Sequence, residues 1–178
     1  EIIGAEALVR WNDPKNGPQP PSEFIAIAEQ SGLIIELGAW VMRRACQTAA
    51  AWPDKSFVVS VNVSAVQLRR GGLFDLIRDT LNETGLPPER LELELTESAL
   101  FHDTEEVTNL LWALRALGVR LAVDDFGTGY STLSYFKDFP VDKLKIDRSF
   151  VDGLTPGSRT LSIVRAATAM AEGLNLDL

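Results

Sequence analysis

Residues 91–96 read Leu-Glu-Leu-Glu-Leu-Thr, a strict alternation of apolar and polar side chains. Alternate residues of a β-strand point to opposite faces, so Leu91, Leu93 and Leu95 share one side and Glu92, Glu94 and Thr96 the other. The pattern returns at residues 142–147, where Leu144 and Ile146 oppose Lys143, Lys145 and Asp147. Glu6, Leu8 and Arg10 share a face of a strand expected over residues 2–11, as do Ser60 and Asn62 over 57–63. A further strand is expected over 119–124. Helical periods fall between the strands, at 22–31 with Ser22 as cap, and at 33–52, 74–84, 104–117 and 158–174. Gly32, Gly85, Gly118 and Gly173 stand at or near helix ends, where a left-handed residue is wanted. Two turn-rich stretches, residues 12–21 and 85–90, punctuate the first half.

Strand and helix alternating along the chain imply a mostly parallel sheet. A doubly wound sheet and a β/α barrel both satisfy that order. Parallel strands of an open sheet are covered on both faces and read as continuous apolar runs, whereas here one face is charged. A sheet with one face in water is the bland alternative. Against it, a helix follows nearly every strand, so the charges should point into a shared interior. Converging carboxylates there are costly unless a cation compensates them. Most of these polar groups also fall near the C-terminal ends of strands, where barrel enzymes build their sites. The expected fold is therefore α/β, a (β/α)8 TIM-type barrel that is incomplete in this chain.

The 178 residues suit one domain, with 46% hydrophobic and 24% charged residues and a net charge of -8. An acidic chain lacks the basic stripe of a DNA or RNA duplex binder. An anionic substrate would have to be met by a few basic residues or by bound cations. The lone cysteine, Cys46, excludes an internal disulfide framework and fits a reducing compartment. No apolar run approaches a membrane span, so a cytoplasmic setting is expected, free or as part of a membrane-anchored parent.

Five ordered motifs now carry a resemblance. They are Glu6-Ala7-Leu8 with Arg10, Asn62-Val63-Ser64 with Gln67, and Glu94-Leu95-Thr96-Glu97-Ser98. The fourth runs from Asp124 to Ser131 as Asp-Asp-Phe-Gly-Thr-Gly-Tyr-Ser, and the fifth is Leu144-Lys145-Ile146-Asp147. Glu-Ala-Leu alone is common by chance, but five motifs in order along nearly the whole chain are not. The set resembles the EAL-domain family of cyclic-di-GMP phosphodiesterases. The resemblance implies metal-dependent hydrolysis of cyclic di-GMP to linear pGpG in bacterial signalling. It also implies a metal set of Glu6, Asn62, Glu94, Asp124 and Asp125, all oxygen ligands, which favours Mg²⁺ or Mn²⁺ over zinc. Two ions are expected, with Ca²⁺ inhibitory. Lys145 would orient or deprotonate the attacking water, its pKa lowered by the adjacent cations. Arg10 would clamp phosphate, and Leu8 and Gln67 would line the substrate groove. Glu97 would anchor the loop containing Gly127, Thr128 and Gly129, coupling metal binding to pairing in a homodimer. For Asp124 and Asp125 to face one site the strand must end there, and Gly127-Thr128-Gly129 permits the break.

Part of the family pattern is not matched. Ala171-Glu172-Gly173 mimics a further metal-site motif but lies inside a helix, so the true motif is expected beyond Leu178. The chain is read as a single EAL domain, residues 1–178, lacking the first strand and helix and the last strands of the barrel. It is expected to be inactive alone. A catalytically silent EAL domain acting as a cyclic-di-GMP receptor or protein-interaction module is the alternative. Attached sensory or GGDEF domains also fit the family. His102 and Cys46 are read as structural, and Trp40, Trp52 and Trp112 as helix-to-barrel core.

Overall fold

The alternating segment at residues 91–96 forms the middle of a curved, five-stranded parallel sheet in a computed structural model. The structure describes residues 2–100, 105–127, 139–152, 154–155 and 157–178. The strands are β1 (Gly4–Ala7), β4 (Val58–Val63), β5 (Leu91–Thr96), β6 (Arg120–Phe126) and β7 (Lys143–Ile146), side by side in that order. Beyond β7 a bridge from Lys143 to Asp177 begins the next pairing. This is an incomplete TIM-type barrel, a curled half-barrel with helices outside it.

The outer face is the apolar one. Leu91, Leu93 and Leu95, with Val61, Leu121 and Leu144, are almost fully buried. They meet Met42 and Cys46 of α2 (Ile34–Ala50), Ile77 of α4 (Leu73–Thr84), and Leu111 and Leu114 of α6 (Glu105–Leu117) in one continuous core. Burial of a large aliphatic side chain contributes about 1.5–3 kcal/mol, so this outer layer is the main source of stability. Buried Arg90 ties the layers together. Its guanidinium donates to the carbonyls of Ala49, at the end of α2, and Phe57, just before β4, at 3.0 and 2.9 Å. The Ala49 carbonyl also accepts the Trp52 N–H at 3.1 Å, so the guanidinium adds a second bond at the helix end. α8 (Arg159–Leu174) packs Ala167 and Ala171 into the core. Among the described residues no helix is long and apolar enough to cross a membrane.

Several expectations need correction. The long first strand is only Gly4–Ala7, and the proline-rich stretch after it folds as a small hairpin of β2 (Trp11–Asp13) and β3 (Gly17–Gln19). Asp13 makes the turn by accepting the backbone N–H groups of Lys15 and Asn16. α1 (Pro21–Ser31) starts one residue before Ser22. Its cap is Pro20 with no side-chain hydrogen bond, and Pro21 supplies the preset first turn. Gly32, Gly85 and Gly118 do have positive φ, but Gly173 does not; Asn175 takes the left-handed position after α8. Trp40 and Trp112 are 59% and 52% exposed, so they are not core. Only Trp52 packs inward, edge-on to Phe57. Short helices that the periodicity did not reveal follow three strands: α3 (Ala65–Arg70), α5 (Glu97–Leu100) and α7 (Arg148–Val151).

Candidate active site

The inner face of the sheet is polar, and the register aligns it in two layers. Ser60, Glu92 and Arg120 sit opposite one another in successive strands. Glu92 is completely buried, yet Lys143 lies 2.8 Å away, Ser60 donates to it at 2.9 Å, and Arg120 stands at 3.8 Å. Arg120 also pairs with Asp177 at 2.6 Å. This lower layer is internally compensated. Two residues further along β4 and β5 lie Asn62 and Glu94, and four residues beyond Arg120 on β6 lies Asp124, opposite Thr96, with Glu6 and Lys145 on the flanking strands.

In this upper layer the five expected ligands reach one end of the sheet, held in pairs. Asn62 donates from Nδ2 to Glu6 Oε1 at 2.7 Å. Lys145 Nζ lies 2.7 Å from Glu94 Oε1 and 3.1 Å from Asp124 Oδ2, bridging the two carboxylates. The Asp125 carboxyl shares a hydrogen bond with Asp147. Among the described residues no three acidic, histidine or cysteine side chains form a ready cage for an ion.

The electrostatics show what the arrangement lacks. Glu94 is 3% exposed, and its Oε2 has no hydrogen-bond partner. Burial pushes its carboxyl up to about 7; Lys145 opposes the shift, while Glu6 and Asp124 add to it. Asp125 is also raised, first by desolvation and then by the charges of Asp124 and Asp147. The lowering expected of Lys145 depended on adjacent cations; beside its carboxylates alone the shift runs the other way. Burial pulls its pKa down, but the hydrogen bonds and charges of Glu94 and Asp124 outweigh that, and the net shift is upward. With only these partners, Lys145 is a held cation rather than a base. The set fits a divalent metal on its donor chemistry: oxygen atoms only, one of them buried and unpartnered, at a site with too little positive charge.

The break after Asp124 does not come from the glycines. Asp125 itself adopts φ 55, and the pairing with β7 slips register between Val123 and Phe126. β6 runs on to Phe126, and this bulge re-aims the second aspartate. Glu97 is buried at the start of α5, and its Oε2 accepts the Gly127 N–H at 3.1 Å. Thr128, Gly129 and His102 lie outside the described residues.

Beside the carboxylates a cavity of about 480 Å³ is lined by Leu8, Arg10, Asn62, Gln67 and Thr96, against Ile34 and Val41 of the helices. All three expected substrate-binding residues therefore meet in its wall. Arg10 is exposed, and among the described residues its guanidinium bonds only the Val9 carbonyl, at 2.9 Å. Gln67 is more than a wall. It completes a capping box: Ser64 N–H donates to Gln67 Oε1 at 3.1 Å, and Gln67 N–H donates to Ser64 Oγ at 3.3 Å. The spacing Ser64-x-x-Gln67 was readable as this motif. Asp147, which shares a hydrogen bond with the second aspartate, stood in the fifth motif without an assigned role, and Phe150, which lies against the glycine at 127, had no signal.

The family of the EAL domain matches residues 1–178, and the chain belongs to it. This is a family of cyclic-di-GMP phosphodiesterase domains on a TIM-barrel-like fold. The chain is 51% identical over 178 residues to an uncharacterized signaling protein of Caulobacter vibrioides, covering 100% of this chain and 22% of that protein. It is 41% identical over 180 residues to MucR of Pseudomonas aeruginosa, a bifunctional diguanylate cyclase/cyclic di-GMP phosphodiesterase, covering 99% of this chain and 26% of MucR. The chain thus spans about a quarter of the length of these relatives or less. The MucR phosphodiesterase in complex with c-di-GMP superposes with a TM-score of 0.94 at 41% identity, covering 99% of this chain and 72% of that one. The EAL enzyme Bd1971, with cAMP and cyclic di-GMP bound, superposes with a TM-score of 0.92 at 30% identity, covering 98% and 49%.

Proposed function

We propose that this domain hydrolyses one phosphodiester bond of cyclic di-GMP, giving linear pGpG, rather than serving as a silent receptor. One observation carries the reading: a buried, unpartnered oxygen of Glu94 next to Lys145 and Asp124, near a cavity whose wall includes Arg10, which among the described residues has no acidic partner. A buried, under-compensated carboxylate beside further acids is of use to a cation-dependent hydrolase, and this supports the enzyme over the receptor.

Glu6, Asn62, Glu94 and Asp124 would hold one divalent ion, and Asp125 a second. The ions, Mg²⁺ or Mn²⁺, would supply positive charge that neutralises the phosphate and activates water. Arg10 binds the phosphodiester from the cavity side, as a guanidinium suits two oxygens at once, while Leu8 packs on the nucleotide. Water adds to phosphorus, the P–O3′ bond breaks, and the departing 3′-oxygen takes up a proton. Lys145 orients that water. It can also accept the proton once Glu94 and Asp124 are engaged elsewhere, because those two carboxylates are what raise its pKa. The Glu97 contact to Gly127 supports a link from this site to the following loop, and through it to a second subunit.

Assay of the full-length protein with cyclic di-GMP, after chelation and with each ion added back, tests this. Turnover restored by Mg²⁺ or Mn²⁺ is the expected result. Tight binding of cyclic di-GMP without turnover under any ion would make the domain a receptor. The relatives' greater length and the cyclase named in MucR support attached domains, including a GGDEF domain, in a bacterial cytoplasmic signalling protein.

A further inference from the structure

We infer that Phe150 is a positioning residue for the end of β6, its ring closing over the bare α-carbon of Gly127 and fixing the turn that aims Asp124 and Asp125. The inference rests on reading those two carboxylates as cation ligands. The turn is an unusual one. Asp125 has φ 55, uncommon for a residue with a side chain, and Gly127 follows with φ 100. Such backbone persists only where its surroundings over-determine it.

Two contacts do so. Glu97 accepts the Gly127 N–H at 3.1 Å and so holds the peptide. Phe150 covers the α-carbon: a Cβ added to Gly127 would lie 2.9 Å from Phe150 Cε2 and 3.1 Å from Cζ. No larger residue fits beneath the ring. The ring is itself held. Phe150 N–H donates to the Asp147 carbonyl at 3.0 Å, and the Asp147 side chain caps α7 by accepting the Ser149 N–H at 3.0 Å. Lys145, two residues before Asp147, bonds Asp124. The end of β7 therefore grips the end of β6 twice, by an ammonium on Asp124 and by a ring on Gly127. Phe150 is half-buried and stands outside the main hydrophobic core. Its removal should free the turn without opening that core.

The test uses the full-length protein and Mn²⁺ alone, titrated by calorimetry or by electron paramagnetic resonance, with hydrogen exchange of the Gly127 amide as a second readout. Groups that orient metal ligands typically change affinity about 10–100-fold when lost. Phe150→Ala should therefore weaken Mn²⁺ binding about tenfold or more and speed exchange at Gly127, and Phe150→Leu should recover most of both. Unchanged Mn²⁺ affinity in a folded Phe150→Ala protein overturns the inference while leaving the metal reading intact. A wild type that binds no Mn²⁺ overturns both. Should Phe150→Ala not fold, Phe150→Val beside Phe150→Leu decides. Affinity lost in the valine variant, too short to cover Gly127, and kept in the leucine variant supports the inference; affinity kept in both, or lost in both, overturns it.

Discussion

Gly38 lies in the middle of α2, where alanine would ordinarily be the better residue. Replacing an interior helical glycine by alanine stabilises by about 0.5–1 kcal/mol, because glycine loses more backbone freedom on folding. Here the opposite is expected. A Cβ on Gly38 would lie 2.1 Å from Gln67 Nε2, 2.7 Å from Cδ and 2.9 Å from Oε1. Gln67 is buried and has no room to retreat without giving up the Ser64 N–H. Overpacking costs about 1–3 kcal/mol, and a lost hydrogen bond about 1 kcal/mol. Set against the helical gain, Gly38→Ala should destabilise by about 1–3 kcal/mol. With Gln67→Ala already present the clash is gone, and the same substitution should become stabilising by about 0.5–1 kcal/mol. Urea unfolding of the four proteins in this cycle reads the sign directly. Because Ser64 follows Asn62 by two residues, cyclic-di-GMP turnover should also fall in Gly38→Ala. A substitution that stabilises in both backgrounds would refute the claim that this glycine is kept to seat the Gln67 carboxamide.

Lys145→Ala should abolish turnover while cyclic di-GMP still binds by calorimetry, and near wild-type rates would remove Lys145 from the reaction. Glu6→Ala should weaken ion and substrate binding together, since Glu6 holds Asn62. Turnover lost to chelation should return with Mg²⁺ or Mn²⁺ and not with Ca²⁺, whose looser coordination misplaces water; zinc-only activity would refute the oxygen-ligand argument. The metal-free protein should lose stability as pH rises. Glu94 has a folded pKa of about 7, above its ordinary value, so its contribution is fully present below that ordinary value and is lost as pH rises through about 7. Thermal unfolding across this window should show the decline in wild type and not in Glu94→Gln.

The strands were legible because their chemistry is two-sided. The Leu-Glu alternation of β5 placed Glu92 and Glu94 inward, and the register with β4 and β6 agrees with that. Elements held by local hydrogen bonds rather than periodicity were not. The hairpin of β2 and β3 depends on Asp13 capturing two backbone N–H groups, and α7 on Asp147 capturing the Ser149 N–H. Within the site, residue types gave the candidate ligands but not how their side chains pair. That Asp125 turns through its own positive φ, rather than through the glycines after it, depends on a register slip between β6 and β7. Nothing in the order of residues marks such a slip. The exposed Trp40 and Trp112 show the reverse error, in which size was taken for burial.

The two polar layers explain why one is structure and the other chemistry. In the lower layer Glu92 has Lys143, Arg120 and the Ser60 hydroxyl, and Asp177 has Arg120. Positive and negative groups match in that layer, as two cations to two carboxylates. In the upper layer Glu94 is buried, Asp124 half-buried, and Glu6 and Asp125 exposed, and among the described residues the one ammonium beside these four carboxylates is that of Lys145. Buried charge without compensation is unstable, and a protein can relieve it by taking up protons or by binding cations. The raised carboxyls of Glu94 and Asp125 are the first response. Two divalent ions would be the second, and they would leave enough positive charge to receive a phosphodiester. On the proposed reading, filling the layer with cations would do more than hold the strands' ends together. It would free Lys145 from its role as counter-ion to Glu94 and Asp124 and leave it available to water, which the proposed hydrolysis requires.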